Sequence, residues 1–135
     1  MLEKHLVFVY GTLKCKFRNH FLIKQENFIG KAQTADNKWS MIAMTSTSSG
    51  KQCPGIIKGA SYISGELYEV RSETLEKLDA LEKNGVRYQR EEVLLSNNKL
   101  SWIYNYIETT AKLLDDSPFL EFYNNKNLFN WNELN

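Results

Sequence analysis

Two stretches of this chain hold residue types that could do chemistry. The first is Val9-Tyr10-Gly11-Thr12-Leu13-Lys14, which ends the β-branched and aromatic run Leu6-Val7-Phe8-Val9-Tyr10. The run reads as a buried strand, and it stops at Gly11. A glycine there lets the backbone turn without a Cβ penalty and lets another group come close. Consecutive N–H groups freed by such a turn can cradle an anion or a developing oxyanion. An ordinary strand-end turn is the plainer alternative. The second stretch is Ser72–Asn84, the strongest helix pattern in the chain, stopped by Gly85. Ser72 is placed to cap it, and Glu73 and Glu76 suit the positive end of its dipole. Leu75, Leu78 and Leu81 mark the expected buried stripe. At roughly 100° per residue, Glu82 falls between Leu75 and Leu78 around the axis. That puts a carboxylate on the apolar face in the last turn. Burial and the negative end of the dipole both disfavour ionisation there, and a carboxyl so perturbed is suited to moving protons near neutral pH. The alternative is a last turn frayed at Lys83-Asn84-Gly85, with Glu82 in water. Asp79 at the stripe edge is the competing acid, and could instead cap or pair with Arg87 or Arg90.

The elements that must position these residues follow a mixed α/β order. Residues 17–26 are expected as a short helix, residues 29–39 and 39–44 as strand material, and Thr45–Gln52 as a polar, flexible loop. Pro54-Gly55 punctuates before Ile56-Ile57. Tyr62–Val70 alternates as a strand. Arg90–Leu95 and Leu100–Ile107 are strands joined through Ser96-Asn97-Asn98-Lys99 by a hairpin-type connection. Ser117-Pro118 has the form of an N-cap followed by a first-turn proline. It opens an aromatic, Asn-rich C-terminal segment, 111–135, that Phe119, Phe122, Tyr123, Phe129 and Trp131 would order. No repeat or linker interrupts the 135 residues, so 1–135 is expected to be one domain with a real core.

Composition narrows the function classes. A hydrophobic share of 42% and an aromatic share of 13% indicate a packed globular protein. A net charge of +1 gives no pull toward nucleic acid or an anionic membrane. No apolar run approaches the roughly 20 residues of a membrane helix, and Met1-Leu2-Glu3-Lys4-His5 lacks a signal peptide's apolar core. Cys15 and Cys53 make no disulfide framework in a chain of this length. A cytoplasmic, reducing setting is expected, with the chain a monomer or weak dimer. His5 and His20 with two distant cysteines lack metal-ligand spacing, so neither metal nor cofactor is expected. Cys15 with His20 invites a thiol-nucleophile reading, although spacing alone does not establish its geometry. Lys14, Lys16 and Arg18 form a small basic cluster, either a solvated surface or a means of drawing in an acidic substrate. Tyr104 and Tyr106 share one face of their strand, as cavity wall or as core.

Four motifs then stand together in the order and spacing of a known family: Val9-Tyr10-Gly11-Thr12-Leu13-Lys14, Gly65-Glu66-Leu67-Tyr68-Glu69-Val70, Leu78-Asp79-Ala80-Leu81-Glu82, and Tyr88-Gln89-Arg90. Over roughly residues 5–107 the chain resembles the gamma-glutamylcyclotransferase-like proteins. With Asn19-His20 following the loop, it is most similar to the gamma-glutamylamine cyclotransferase branch. The resemblance implies an α+β fold, a small mixed β-barrel with short flanking helices. It implies that Tyr10, Gly11, Thr12 and Leu13 supply backbone contacts to a glutamyl group. Glu82 would be the catalytic acid and base, and Tyr88 would line the same cavity. Cys15-Lys16 and Lys83 depart from the family's usual arginine and glycine, which bears on substrate preference. The implied reaction is attack of the substrate's α-amine on its own γ-carbonyl, giving 5-oxoproline and a free amine or amino acid. The substrate brings its nucleophile, so no Ser or Cys nucleophile, metal or cofactor is required. A noncatalytic small-molecule binding or sensor domain with the same cavity is the alternative, and the leaving amine is not specified.

Overall fold

Alternating β-branched and aromatic residues build most of the molecule. The computed structural model describes residues 3–11, 19–45, 52–82, 84–85, 88–106, 120–123 and 126–131. The strands are β1 Lys4–Val9, β2 Asn27–Gln33, β3 Trp39–Thr45, β4 Gln52–Lys58, β5 Tyr62–Arg71, β6 Tyr88–Leu94, β7 Leu100–Tyr106, β8 Leu120–Tyr123 and β9 Lys126–Asn130. The helix α1, Ser72–Glu82, follows β5 without a break.

β5 is the spine of a seven-stranded mixed sheet. Glu66 pairs with Val9 of β1 and with Lys31 of β2, so those strands lie on opposite edges of β5. Ser64 pairs with Gln33 of β2 and with Asn130 of β9. β9 therefore continues the edge that β1 leaves, and β8 pairs beyond it. On the far side β1 runs parallel to β7, and β7 forms a hairpin with β6. The ring β6-β7-β1-β5-β2 comes back to β6 at a single isolated bridge, Thr34 to Leu95, held by Ala35 N–H to Leu94 C=O and Ser96 N–H to Gln33 C=O, each 2.9 Å. The expected α+β fold is present, with a sheet that curls like a barrel. It does not close as one, because β2 and β6 meet only at their ends.

Period-two alternation divides the core between the two faces of the sheet. Phe8, Ile63, Leu67 and Ile103 pack with Trp39, Met41 and Ile56 of the β3–β4 hairpin and with Phe129 and Trp131. Val7, Val9, Tyr68, Val70, Tyr104 and Tyr106 point the other way and pack under Leu75 and Leu78 of α1. The aromatic residues Phe129 and Trp131 are thus core, as the C-terminal segment's composition suggests.

Local differences from the sequence reading have physical reasons. Around His20 the chain makes only a 3-10 turn, His20–Leu22, where the weak helical spacing suggested a longer helix. β2 starts at Asn27 and ends at Gln33, because Thr34 turns its hydroxyl to accept from the Ile63 N–H at 3.0 Å. Asn98 takes the left-handed conformation, φ 67°, in the β6–β7 turn, a role Asn fills more readily than most residues. The helix stops two residues before Asn84, and Gly85 sits at φ +89°, where a Cβ would be strained.

Candidate active site

The helix, β6 and β7 bring the proposed acid to the end of β1. α1 buries Thr74, Leu75 and Leu78. Leu81, expected in that stripe, is 40% exposed, so the buried stripe ends at Leu78. Glu82 is half-buried, so its place between Leu75 and Leu78 around the axis is kept. The turn after it is tied down. Asn84 N–H donates to Asp79 C=O at 2.9 Å, Gly85 N–H to Tyr88 C=O at 2.7 Å, and Arg90 N–H to Asn84 Oδ1 at 2.9 Å. These bonds fix the end of α1 against the start of β6.

Three phenols gather in this region, and each commits its proton to a fixed acceptor. Tyr10 donates to the Tyr104 carbonyl at 2.6 Å, Tyr104 to Asp79 Oδ1 at 2.5 Å, and Tyr88 to the Pro54 carbonyl at 2.8 Å. Burial, then Tyr88, then the charge of Glu82 hold the Tyr10 hydroxyl well above the usual tyrosine range, against the opposing hydrogen bond from the Ile56 N–H. The Tyr104 hydroxyl is pushed up by burial, then by its bond to Asp79 and that carboxylate's charge, with Glu82 adding to them and Arg90 opposing. The Glu82 charge is therefore felt at both Tyr10 and Tyr104. Both phenols stay protonated through the neutral range, so neither is a base.

Asp79, the competing acid, has other partners. It takes the Tyr104 proton and lies 3.6 Å from Arg90 Nε. The Arg90 guanidinium stacks 4.4 Å over the Trp102 ring. Pairing with Arg90 is one of the outcomes the sequence left open for this residue, beside a cap and a pair with Arg87.

Of the expected site residues, the structure brings together Tyr10, Glu82 and Tyr88, and it places Gly11 beside them through its contact with Pro54. Thr12 and Leu13 lie outside the described residues, as do Lys14, Cys15, Lys16, Arg18, Lys83 and Arg87, most of the Thr45–Gln52 loop, and Ser117-Pro118. His20 packs its ring 6.0 Å from that of Tyr68. Tyr104 and Tyr106 share a buried face, as alternation requires. Among the described residues, no three His, Cys, Asp or Glu side chains converge to hold a metal ion, and no helix is long and apolar enough to cross a membrane. Sequence reasoning missed Pro54 and Ile56. Pro54-Gly55 reads only as punctuation, and nothing in a linear pattern joins position 54 to positions 11 and 88.

An open mixed sheet flanked, among the described residues, by the single α-helix α1, with Glu82 in that helix's last turn, defines a small α+β class of protein. The chain belongs to the family described as gamma-glutamyl cyclotransferase, AIG2-like, which it matches over residues 7–121. It is 33% identical over 106 residues to a gamma-glutamylcyclotransferase homologue from Vibrio cholerae, covering 78% of this chain and 85% of that one. A homologue from Methanocaldococcus jannaschii is 32% identical over 123 residues, covering 86% and 96%. The crystal structure of an AIG2-like protein from Mus musculus superposes with a TM-score of 0.66 at 22% identity, covering 90% of this chain and 86% of that one. Family and fold together support gamma-glutamyl cyclotransferase activity, and family membership implies a small-molecule gamma-glutamyl substrate.

Proposed function

We propose that the protein cyclises the gamma-glutamyl group of a gamma-glutamyl amine or amino acid to 5-oxoproline, with Glu82 as the general base and then the general acid. The amine-cyclotransferase branch is favoured, in a cytoplasmic setting. The observation that carries this reading is the position of Glu82: half-buried in the last turn of α1, with its charge felt at Tyr10, the first residue of the loop. Glu82 takes a proton from the α-ammonium. The freed amine then attacks the γ-carbonyl, a new C–N bond closes the ring, and the old amide C–N bond breaks as Glu82 returns the proton to the leaving amine, which also takes up the second proton shed by the ring nitrogen and departs as an ammonium. Tyr10, Gly11, Thr12 and Leu13 grip the glutamyl group through their backbone, and Tyr88 stands at the edge of the same site. Holding the chain curled with the amine near the carbonyl supplies several kcal/mol of the barrier. Loop amides aimed at the developing oxyanion supply more.

The test is 5-oxoproline release across a panel of gamma-glutamyl amines, gamma-glutamyl amino acids and gamma-glutamyl peptides, run beside Glu82→Gln. Turnover that falls about 10²–10⁴-fold in the variant, with substrate binding kept, is the expected result. Near-normal release by Glu82→Gln would remove Glu82 from the chemistry. Binding without turnover across the panel in the unmodified protein would favour a sensor domain that keeps the same site.

A further inference from the structure

We propose that Tyr88 and Pro54 are positioning residues that set the placement of the Tyr10-Gly11 turn and reach the substrate only through it. The proposal deepens the reading above, since it rests on that turn being the glutamyl-binding loop. Tyr88 opens β6, and its ring is buried, packed edge-on against Tyr106 with centroids 5.3 Å apart. Its hydroxyl donates 2.8 Å to the Pro54 carbonyl in a buried bond. A phenol enclosed in this way cannot turn its proton to a ligand without stranding a buried carbonyl, and such orphaned acceptors are costly.

Pro54 carries the contact onward. A Cβ built on Gly11 would lie 2.3 Å from Pro54 Cγ, so the ring fills the space where any side chain at position 11 would stand. The next two residues of β4 continue the contact. A Cβ on Gly55 would meet Tyr106 Cβ at 3.1 Å and Ile42 Cγ1 at 3.2 Å, and Ile56 packs in the same core cluster as Tyr10. Three successive residues of one strand thus touch Tyr88, Gly11, Tyr106 and Tyr10. Proline fixes its own φ and presents a stiff ring, so a displacement of the Pro54 peptide is passed to Gly11 rather than absorbed. The β3–β4 hairpin therefore acts as a strut between the start of β6, to which the end of α1 is also tied, and the loop. The spacing between the start of β6 and the Tyr10-Gly11 turn is set through it.

The experiment uses one coincidence of sequence: Tyr10-Gly11 is the only Tyr-Gly step in the chain. Labelling with carbonyl-13C tyrosine and 15N glycine leaves a single directly coupled amide, that of Gly11. In Tyr88→Phe, which keeps the ring and removes the bond, the Gly11 resonance should move and its amide exchange should quicken. KM for the best gamma-glutamyl substrate should rise about five- to tenfold, the equivalent of one buried hydrogen bond. At the same time kcat should stay within about twofold, with the pH profile unchanged. Pro54→Ala should give the same pattern by removing the ring. A Gly11 resonance unmoved in both variants overturns the proposal. So does a loss of kcat with Gly11 and KM unchanged, which would place the Tyr88 hydroxyl on the reacting atoms. If the unmodified protein releases no 5-oxoproline from any compound, the functional reading falls, and the Gly11 resonance still decides the strut.

Discussion

Tyr104 donates a 2.5 Å hydrogen bond to Asp79 Oδ1, three residues before Glu82 on the same helix. Residues so spaced are neighbours on a helix surface, so two carboxylates stand side by side at the end of α1. Their surroundings separate their roles. Asp79 accepts a hydrogen bond from a phenol and lies beside Arg90, partners that hold its side chain in place. The hydroxyl protons of Tyr10 and Tyr88 go to main-chain carbonyls. Pairs of acids with unlike environments divide structural and proton-transfer work in this way.

Asp79 should therefore be a structural acid. Asp79→Ala removes the acceptor for Tyr104 and leaves Arg90, whose side chain is 21% exposed, without its carboxylate. Stability should fall by about 1–3 kcal/mol. Asp79→Asn, which can still accept from Tyr104, should keep turnover within about tenfold of the unmodified enzyme, against the far larger loss expected for Glu82→Gln. Urea unfolding and 5-oxoproline release on the same preparations check both points. Equal catalytic losses in the two variants would mean that the acid has been misassigned.

Tyr10→Phe should weaken the fold without touching the pH dependence of turnover. The change strands the Tyr104 carbonyl, and a buried group left unsatisfied costs about 1–3 kcal/mol. The Tyr10 hydroxyl is held well above the usual tyrosine range, first by burial, so it stays neutral wherever the enzyme works. A shifted limb in the pH–rate profile of this variant would show that the phenol takes part in proton transfer.

Much of this arrangement is legible in the sequence because it is local. The runs Tyr62–Val70 and Leu100–Ile107 read as strands and are present as β5 and β7, with Tyr104 and Tyr106 on one face. The helix pattern that begins at Ser72 is present as α1, with Glu82 in its last turn. What is not legible depends on where other elements end. Periodicity gives Leu81 a direction but cannot say how far along the helix its packing partners extend. The Pro54 contact with Gly11, the Tyr10 bond to Tyr104 and the return of β9 to β5 join residues 43 to 94 positions apart, and no periodic signal spans such separations. The family resemblance supplies the pairing of loop and acid. It does not supply the strand that spaces them.

The two leucines that the stripe treats alike should behave differently. Leu78 is fully buried under α1, while Leu81 is 40% exposed. Leu78→Ala leaves a cavity between helix and sheet and should cost about 2–5 kcal/mol. Leu81→Ala should stay within about 0.5 kcal/mol, as surface changes do. Parallel urea titrations decide it. Similar midpoint losses would mean that Leu81 is covered in solution.

Acid should loosen the anchor at the other end of the helix. Glu26 accepts from the Thr74 hydroxyl and from Arg71 Nε, the latter at 3.1 Å, and its side chain is only 7% exposed. Burial pushes its carboxyl up, but the bonds from Thr74 and Arg71 and the charge of Arg71 together outweigh that and hold it below the ordinary range. A carboxyl whose folded pKa lies below its unfolded one stabilises fully above the unfolded value, and that contribution is lost as pH falls through the folded value. The urea midpoint should therefore hold from pH 7 to about pH 5 and decline below the ordinary glutamate range of about 4.3. Glu26→Gln should start less stable at pH 7, lacking the charge-assisted bonds, and should decline less over the acid range. The gap between the two proteins is the measurement, because it cancels every other carboxylate. A gap that does not narrow between pH 5 and pH 3 would mean that Glu26 is not held ionised by Thr74 and Arg71.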